Sequence, residues 1–498
     1  MLLSSRTPRV AALLAAGASL ALVAAAAPAE PLGIGDRLFP HLGNPGYDVT
    51  DYDISFTYRG DNSKPLDAVT RINARATAPL DRINLDFSHG TVRSVTVNGA
   101  RAQYVTKGED LVVTPATAVA PGQPLKIDVR HTSDPRPGKK EVGWLRTKDG
   151  LAMANQADAA HRVFPSNDHP SDKAYFTFRV TAPKEYTVVA NGLPVAKNGL
   201  PATKNGLPAA KTRQGGATQW VYRTAHPMAT ELAQVSIGRS VVLHQEGPDG
   251  LPVRDVVPAK DVKALKPWLK KTPEQIAWME GKVGNYPFEN YGLLIAHAST
   301  GFELETQTLS LFERDLFTRS EYPKWYVESI MVHELAHQWF GDSVSPRSWS
   351  DLWLNEGHAT WYESLYAQEK ADRPMVKRMR AAYRASDAMR ADGGPPAAPK
   401  KPTSDGKISI FRPVVYDGSA LVLYALRQEI GADAFQRLER TWLATHRDST
   451  ATTADFVRLA SQLAGRDLSG FFDAWLYGKK TPPMPGHPDW KTAPVSKH

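Results

Sequence analysis

Cysteine is absent from this 498-residue chain. Disulfide bridges, a thiol nucleophile, a thiolate-ligated zinc site and a lipidated N-terminal cysteine are therefore excluded, and any metal must be held by His, Asp or Glu. A large excess of one charge sign is also absent. Sixty basic residues stand against 52 acidic ones, a net charge of +8. Lys and Arg gather only in short clusters such as 263–271 and 378–384, which read as diffuse solvated surface, so no nucleic-acid partner is expected. Beyond the N-terminus no apolar run is long enough to cross a bilayer, and no stable membrane insertion is expected. A hydrophobic share of 42% and a charged share of 22% are those of a folded chain and exclude a disordered or collagen-like one. The length allows more than one sizeable core.

Residues 1–29 read as a signal peptide. Arg6 and Arg9 form a positive start, Val10 to Ala27 is apolar, and Ala27-Pro28-Ala29 fits the small-residue cleavage rule, with Glu30 as the first mature residue. An uncleaved anchor is the alternative, but the run is Ala-heavy and only marginally hydrophobic for a span. The expected product is exported, periplasmic or secreted.

From Tyr47 to Gly238 the pattern is mostly β. Residues 52–58, 82–87, 92–97, 125–129, 176–180 and 186–190 alternate with period two, and Asn98-Gly99, Lys107-Gly108, Pro121-Gly122 and Asn191-Gly192 mark turns between runs. This predicts an antiparallel sandwich or saddle. Within it, residues 191–197, 198–204 and 205–211 repeat the pattern NGLPxxK. Gly and Pro in each copy forbid a coiled coil, and an exposed hairpin loop is expected. From about Pro258 the period becomes helical. Helices are predicted over Asp261–Val283, Tyr322–Phe340, Ser350–Lys370, Pro374–Arg390, Gly418–Ile430, Ala432–His446 and Thr453–Leu463, with strands near 292–297 and 308–312. The chain thus divides into a linker (30–45), an N-terminal β domain (46–239), an α+β domain (240–480) and an extended tail (481–498).

The chemistry is concentrated at His333-Glu334-Leu335-Ala336-His337. Four residues of helix make just over one turn, so both imidazoles share a face and can reach one tetrahedral cation. Glu334 adjoins the first ligand, where a general base acting on water must stand. Two histidines leave the metal short of a protein ligand. Eighteen residues separate His337 from Glu356, which falls in the second turn of the helix expected from Ser350-Asp351. His333, His337 and Glu356 would leave one position open, as a catalytic zinc requires.

The stretch His333-Glu-Leu-Ala-His-Gln-Trp-Phe-Gly-Asp342, followed by Trp353-Leu-Asn-Glu-Gly-His-Ala359, resembles the signature of the gluzincin zinc aminopeptidases related to aminopeptidase N and leukotriene-A hydrolase. That family usually has Phe where this chain has His358. Phe164-Pro-Ser-Asn-Asp-His-Pro-Ser-Asp-Lys-Ala174 is similar to an N-domain segment of the shorter bacterial members, and only 82 residues follow Tyr416, as in a two-domain form. The resemblance implies a thermolysin-like α+β catalytic domain, one zinc per chain, and metal-assisted hydrolysis of peptides with a free N-terminus. It also implies site residues. Gly301-Phe-Glu-Leu-Glu-Thr-Gln307 is similar to the substrate-amine motif Gly-x-Met-Glu-Asn, with Glu305 as the anion, Thr306 for Asn and the glycine one residue early. Glu303 is a competitor, sharing a face with Glu305 if this is a strand. Tyr416 matches the catalytic tyrosine, an oxyanion donor, although Gly418 replaces the usual Lys. Gln156 is a candidate for the amine pocket. Asn355 or Glu363 is a candidate to orient a ligand from behind, and Trp325, Trp339, Trp349, Trp353 and Trp361 are expected in the core. A thermolysin-like endopeptidase on the same site and a non-catalytic zinc-binding module are the competing readings.

Overall fold

Alternating apolar residues build the first half of the molecule. In the computed structural model, which describes residues 32–136, 142–195, 212–214, 216–298, 300–402 and 410–495, strand Tyr47–Thr57 buries Val49, Tyr52, Ile54 and Phe56. A bulge between Val49 and Asp51 shifts the phase, so the apolar side chains stay on the core face. This strand pairs antiparallel with Leu66–Ala76 and parallel with Tyr175–Pro183 in an eleven-stranded sheet, counted among the described residues. The parallel pair departs from the all-antiparallel expectation, because alternation encodes which face is buried and not the direction of the neighbour. A four-stranded sheet (187–190, 235–238, 150–154, 143–147) shares one apolar core with the large sheet, and Phe56 meets Trp144 edge-to-face at 5.4 Å. The segment expected to carry a signal, the last two residues of the first NGLPxxK copy and all of the other two copies lie outside the described residues.

A second mixed sheet (240–246, 252–258, 293–296, 310–313) leads into the helices. These include α1 (Val262–Leu269), α2 (Thr272–Val283), α3 (Arg314–Thr318), α4 (Lys324–His337), α5 (Trp353–Ala371), α6 (Met375–Gly393), α7 (Asp417–Ile430), α8 (Ala432–His446) and α9 (Thr453–Ala464). The single helix expected over 261–283 is broken in two. Pro273 has no N–H to offer the Leu269 carbonyl, so a continuous helix would lose that bond, whereas in the first turn of α2 the missing N–H costs nothing. The helical core contains Trp353, Trp361 and Trp339, and Trp349 is buried in a neighbouring cluster; only Trp325 is partly exposed, beneath the guanidinium of Arg373 at 4.7 Å.

Two stretches without helix or strand are nonetheless packed. In the segment expected as a linker, the Asp36 carboxylate accepts from the backbone N–H of Leu38 and of Trp349, at 2.7 and 3.0 Å. Leu38 clusters with Trp349, Val414 and Val415 beneath the loop that carries Tyr416. At the other end Trp490 is buried against Tyr383 and Tyr424. The segment 164–174 also has a structural task. Lys173 Nζ donates to the backbone oxygens of Asp342 and Ser343 at 2.7 and 2.9 Å, tying the β half to the turn that follows α4.

Candidate active site

α4 is buried along Val327, Met331, Val332, Leu335 and Ala336, and this packing holds His333 and His337 one turn apart on the same face. Their Nε2 atoms are 3.3 Å from each other. Glu356, in the first turn of α5, places Oε2 at 3.3 Å from His333 Nε2 and 3.4 Å from His337 Nε2. Three atoms at this mutual spacing are corners of a tetrahedron whose centre lies about 2.0–2.1 Å from each, the bond length of zinc to imidazole nitrogen or carboxylate oxygen. The donor set demands a cation. Each imidazole uses its other nitrogen as a donor, so both Nε2 atoms present lone pairs, and Glu356 Oε2 is buried with no hydrogen-bond partner. Three lone-pair acceptors in contact repel unless a positive ion lies between them. His333, His337 and Glu356 form the one such cluster among the described residues.

The outer nitrogens fix the rings. His337 Nδ1 donates to the backbone oxygen of Phe340 at 3.1 Å. That carbonyl turns back because Gly341 has φ +132°, a region costly to other residues. His333 Nδ1 donates to Glu363 Oε2 at 3.3 Å. Of the two residues expected as orienting groups, Glu363 serves and Asn355 does not: its side chain lies by Gly341, and its Oδ1 has no partner. Glu363 is itself held by Arg378, whose Nη1 and Nη2 donate to it at 2.6 and 3.3 Å while Nε donates to Asp417 Oδ1 at 2.9 Å. Burial would raise the Glu363 carboxyl, but Arg378 and His333 outweigh it and keep the group below its ordinary range. Arg378 belongs to the 378–384 cluster expected as solvated surface. Its guanidinium is instead turned inward, a placement with no signature in the local pattern. Asp417 follows Tyr416 and opens α7, so one guanidinium spans from the carboxylate behind a metal ligand to the residue beside the tyrosine. α7 approaches α5 closely here, since a Cβ at Gly357 would lie 2.7 Å from Ser419 Cβ.

The remaining expected residues converge on the same place. The Tyr416 ring centroid lies 6.0 Å from that of His333. Burial, with the charges of Glu356, Glu305 and Glu334, pushes its phenol well above the ordinary value, so the hydroxyl keeps its proton. Glu334 is buried, with Oε2 lacking a hydrogen-bond partner, and burial raises its carboxyl above the ordinary carboxylate range. Glu305 Oε1 accepts from Gln156 Nε2 at 2.5 Å and lies 4.0 Å from His337 Nδ1. Gln156 comes from the β half, just after strand Gly150–Ala154, and is followed by a cis peptide to Ala157. The backbone of the 305–308 segment is clamped by Gln338 of the HExxH stretch, which donates to the Glu305 oxygen at 3.0 Å and accepts from the Thr308 N–H at 2.8 Å. Residues 301–305 form no strand, only a bridge from Leu304 to Leu311, so the shared face expected for Glu303 and Glu305 does not arise. Glu303 lines a small cavity with Gln156, Phe302, Phe411 and Tyr416 instead. His358, standing where Phe was expected, stacks on Phe340 at 4.3 Å and meets Glu439 at 3.2 Å, away from the metal ligands.

Two buried imidazoles and a carboxylate on consecutive packed helices define a gluzincin-type zinc centre. Known proteins agree with this geometry. The model of the peptidase family M1 domain matches residues 268–475, and that of the peptidase M1 N-terminal domain matches residues 50–205. The chain belongs to the M1 peptidase family. Aminopeptidase 2 of Candida albicans is 26% identical over 342 residues, covering 66% of this chain and 35% of that protein. Aminopeptidase N of Streptomyces lividans is 26% identical over 412 residues, covering 79% and 46%. The chain thus spans less than half the length of these relatives. An M1 zinc metallopeptidase from Deinococcus radiodurans superposes with TM-score 0.73 at 26% identity, covering 91% of this chain and 98% of that one. A point mutant of that enzyme bound to a Tyr-Ser-Ala substrate gives TM-score 0.72 at 26% identity, covering 92% and 100%.

Elemental analysis of the dialysed protein is expected to find about one zinc per chain, and none in His337→Ala. Arg378→Ala is expected to fold but to hold zinc roughly 10–100-fold more weakly in competition with a chelator, the usual effect of losing an outer partner of a ligand. A variant that competes as well as the parent would show that Arg378 does not position His333.

Proposed function

We propose that this chain is a zinc aminopeptidase that removes the first residue from peptides with a free N-terminus. The observation that carries the proposal is the Gln156–Glu305 pair next to the metal ligands, with Glu305 Oε1 4.0 Å from the His337 ring. An α-ammonium entering there meets a buried carboxylate, a charge-assisted contact that ties down the substrate's end. Only the first peptide bond then falls within reach of the metal ligands.

Zinc held by His333, His337 and Glu356 supplies a Lewis acid that polarises a carbonyl and acidifies water. Glu334 takes the proton of the attacking water and passes it to the departing amine; its burial favours a basicity suited to neutral pH. Tyr416, protonated across the neutral range, donates to the oxygen on which negative charge develops. Glu363 and Arg378 keep the first imidazole in the tautomer a metal requires.

A thermolysin-like endopeptidase would use the same ligands but gives no role to the Gln156–Glu305 pair. A non-catalytic zinc module gives none to Glu334 or Tyr416. We further propose that the protein is exported, on the strength of the basic, apolar and small-residue succession in residues 1–29.

Three outcomes check these assignments. A peptide with a free amine is expected to be cleaved while its N-acetylated copy is not; equal rates would assign an endopeptidase. Glu334→Gln is expected to retain zinc and lose activity by a factor of about 100 or more, whereas a variant as fast as the parent removes Glu334 from the role of base. N-terminal sequencing of protein recovered outside the cytoplasm is expected to begin at Glu30, and recovery only from the cytoplasm contradicts export.

A further inference from the structure

Gln338 follows the second metal ligand directly and is fully buried. A primary amide offers two N–H bonds and an oxygen with two lone pairs, and here all are engaged. Nε2 donates to the backbone oxygen of Glu305 at 3.0 Å and to Asp342 Oδ2 at 2.8 Å. Oε1 accepts from the Thr308 N–H at 2.8 Å and from the Tyr286 hydroxyl at 3.1 Å. A carbonyl oxygen only accepts and a backbone N–H only donates, so the amide has a single orientation that satisfies both ends of the 305–308 segment.

That segment has little means of holding its own shape. It lies in neither helix nor strand, and Thr308 has φ +65°, left-handed backbone that a β-branched residue adopts only under constraint. Gln338 holds the Thr308 N–H, and the Thr308 hydroxyl accepts from the Gly192 N–H at 3.0 Å. The amide that constrains this turn is itself anchored. Asp342, which orients it, has its N–H on the His337 oxygen at 3.0 Å and its own backbone oxygen on Lys173 Nζ at 2.7 Å. Hydrogen bonds thus run from the β half through Lys173 and Asp342 to Gln338, and from there to the residue that carries the Glu305 carboxylate.

We propose that Gln338 is a positioning residue that sets where the Glu305 carboxylate stands relative to the metal ligands, and thereby how tightly a free N-terminus is held. With its amide fully engaged by protein, it has no polar atom left for the substrate and acts only through Glu305. The assignment rests on the aminopeptidase reading and deepens it.

Two inhibitors separate this role from a structural one. Leucine hydroxamate and 4-methylpentanoyl hydroxamate carry the same metal-chelating group and the same side chain, and differ only in the α-amine. For the zinc-loaded parent the amine is expected to tighten inhibition by about tenfold or more, as for a desolvated charge pair. In Gln338→Met, which keeps the length of the side chain without its amide, that ratio is expected to fall to within about threefold of unity, because a small displacement of an anchoring group is costly. Zinc content and inhibition by the compound without the amine are expected to stay close to the parent's. Equal weakening of both compounds, or an unchanged ratio, overturns the proposal. Gln338→Ala, which leaves room for water beside the stranded polar groups, is expected to give the same collapse and decides the matter if Gln338→Met does not fold. If the amine gives the parent no advantage, the aminopeptidase reading itself fails. If the advantage is present and survives the substitution, only the role of Gln338 falls.

Discussion

Two imidazole nitrogens and a carboxylate oxygen pressed to within 3.4 Å of one another constrain the rest of the molecule. Without a cation their lone pairs repel, and burial denies them the water that would otherwise soften the cost. Such a cluster persists only if surrounding structure holds it in place. The helical period of α4 sets two of the atoms, and the packing of α5 on α4 sets the third. The 338–352 connection, pinned where Lys173 meets the backbone of Asp342 and Ser343, fixes how the two helices meet. The large β half therefore serves as a brace for a few atoms in the helical half.

The same half completes the site chemically. Gln156 and Glu305 are 149 positions apart and lie 2.5 Å from each other. On the proposed reading the metal centre supplies reactivity and this pair supplies the point from which a peptide is measured. The distance between them is a tertiary quantity, fixed by how the 305–308 segment is clamped by Gln338 and by where the strand ending at Ala154 delivers its next residues.

Much of this was legible in the sequence, for reasons that differ by residue. The ligands could be read because a helix converts spacing directly into direction, and most helices begin and end within a few residues of the predicted limits. Strand positions could be read from alternation, but the parallel neighbour of Tyr47–Thr57 could not, since period two is blind to polarity. The reading of Glu303 and Glu305 as residues of one face assumed a strand that does not form at 301–305. Arg378 looked like one more surface cation, because nothing near it in sequence reveals Glu363 and Asp417 closing around its guanidinium. Glu363 and Asn355 were equally plausible as orienting groups. Only the packing of α5 on α4 separates them, turning Glu363 to the ring and leaving Asn355 beside Gly341.

The stretch around Asp36 has no helix or strand, yet its carboxylate caps the Trp349 N–H and its neighbour Leu38 lies under the loop of Tyr416. This stretch is thereby a foundation for the phenol assigned to the developing charge. Asp36 lies only six residues beyond Glu30, where the leader is proposed to be cut. If the leader is cut there, ragged trimming, or a fusion partner crowding that end, would bear through Asp36 on the turn at Trp349 that enters α5, and through Leu38 on the packing beneath the hydroxyl.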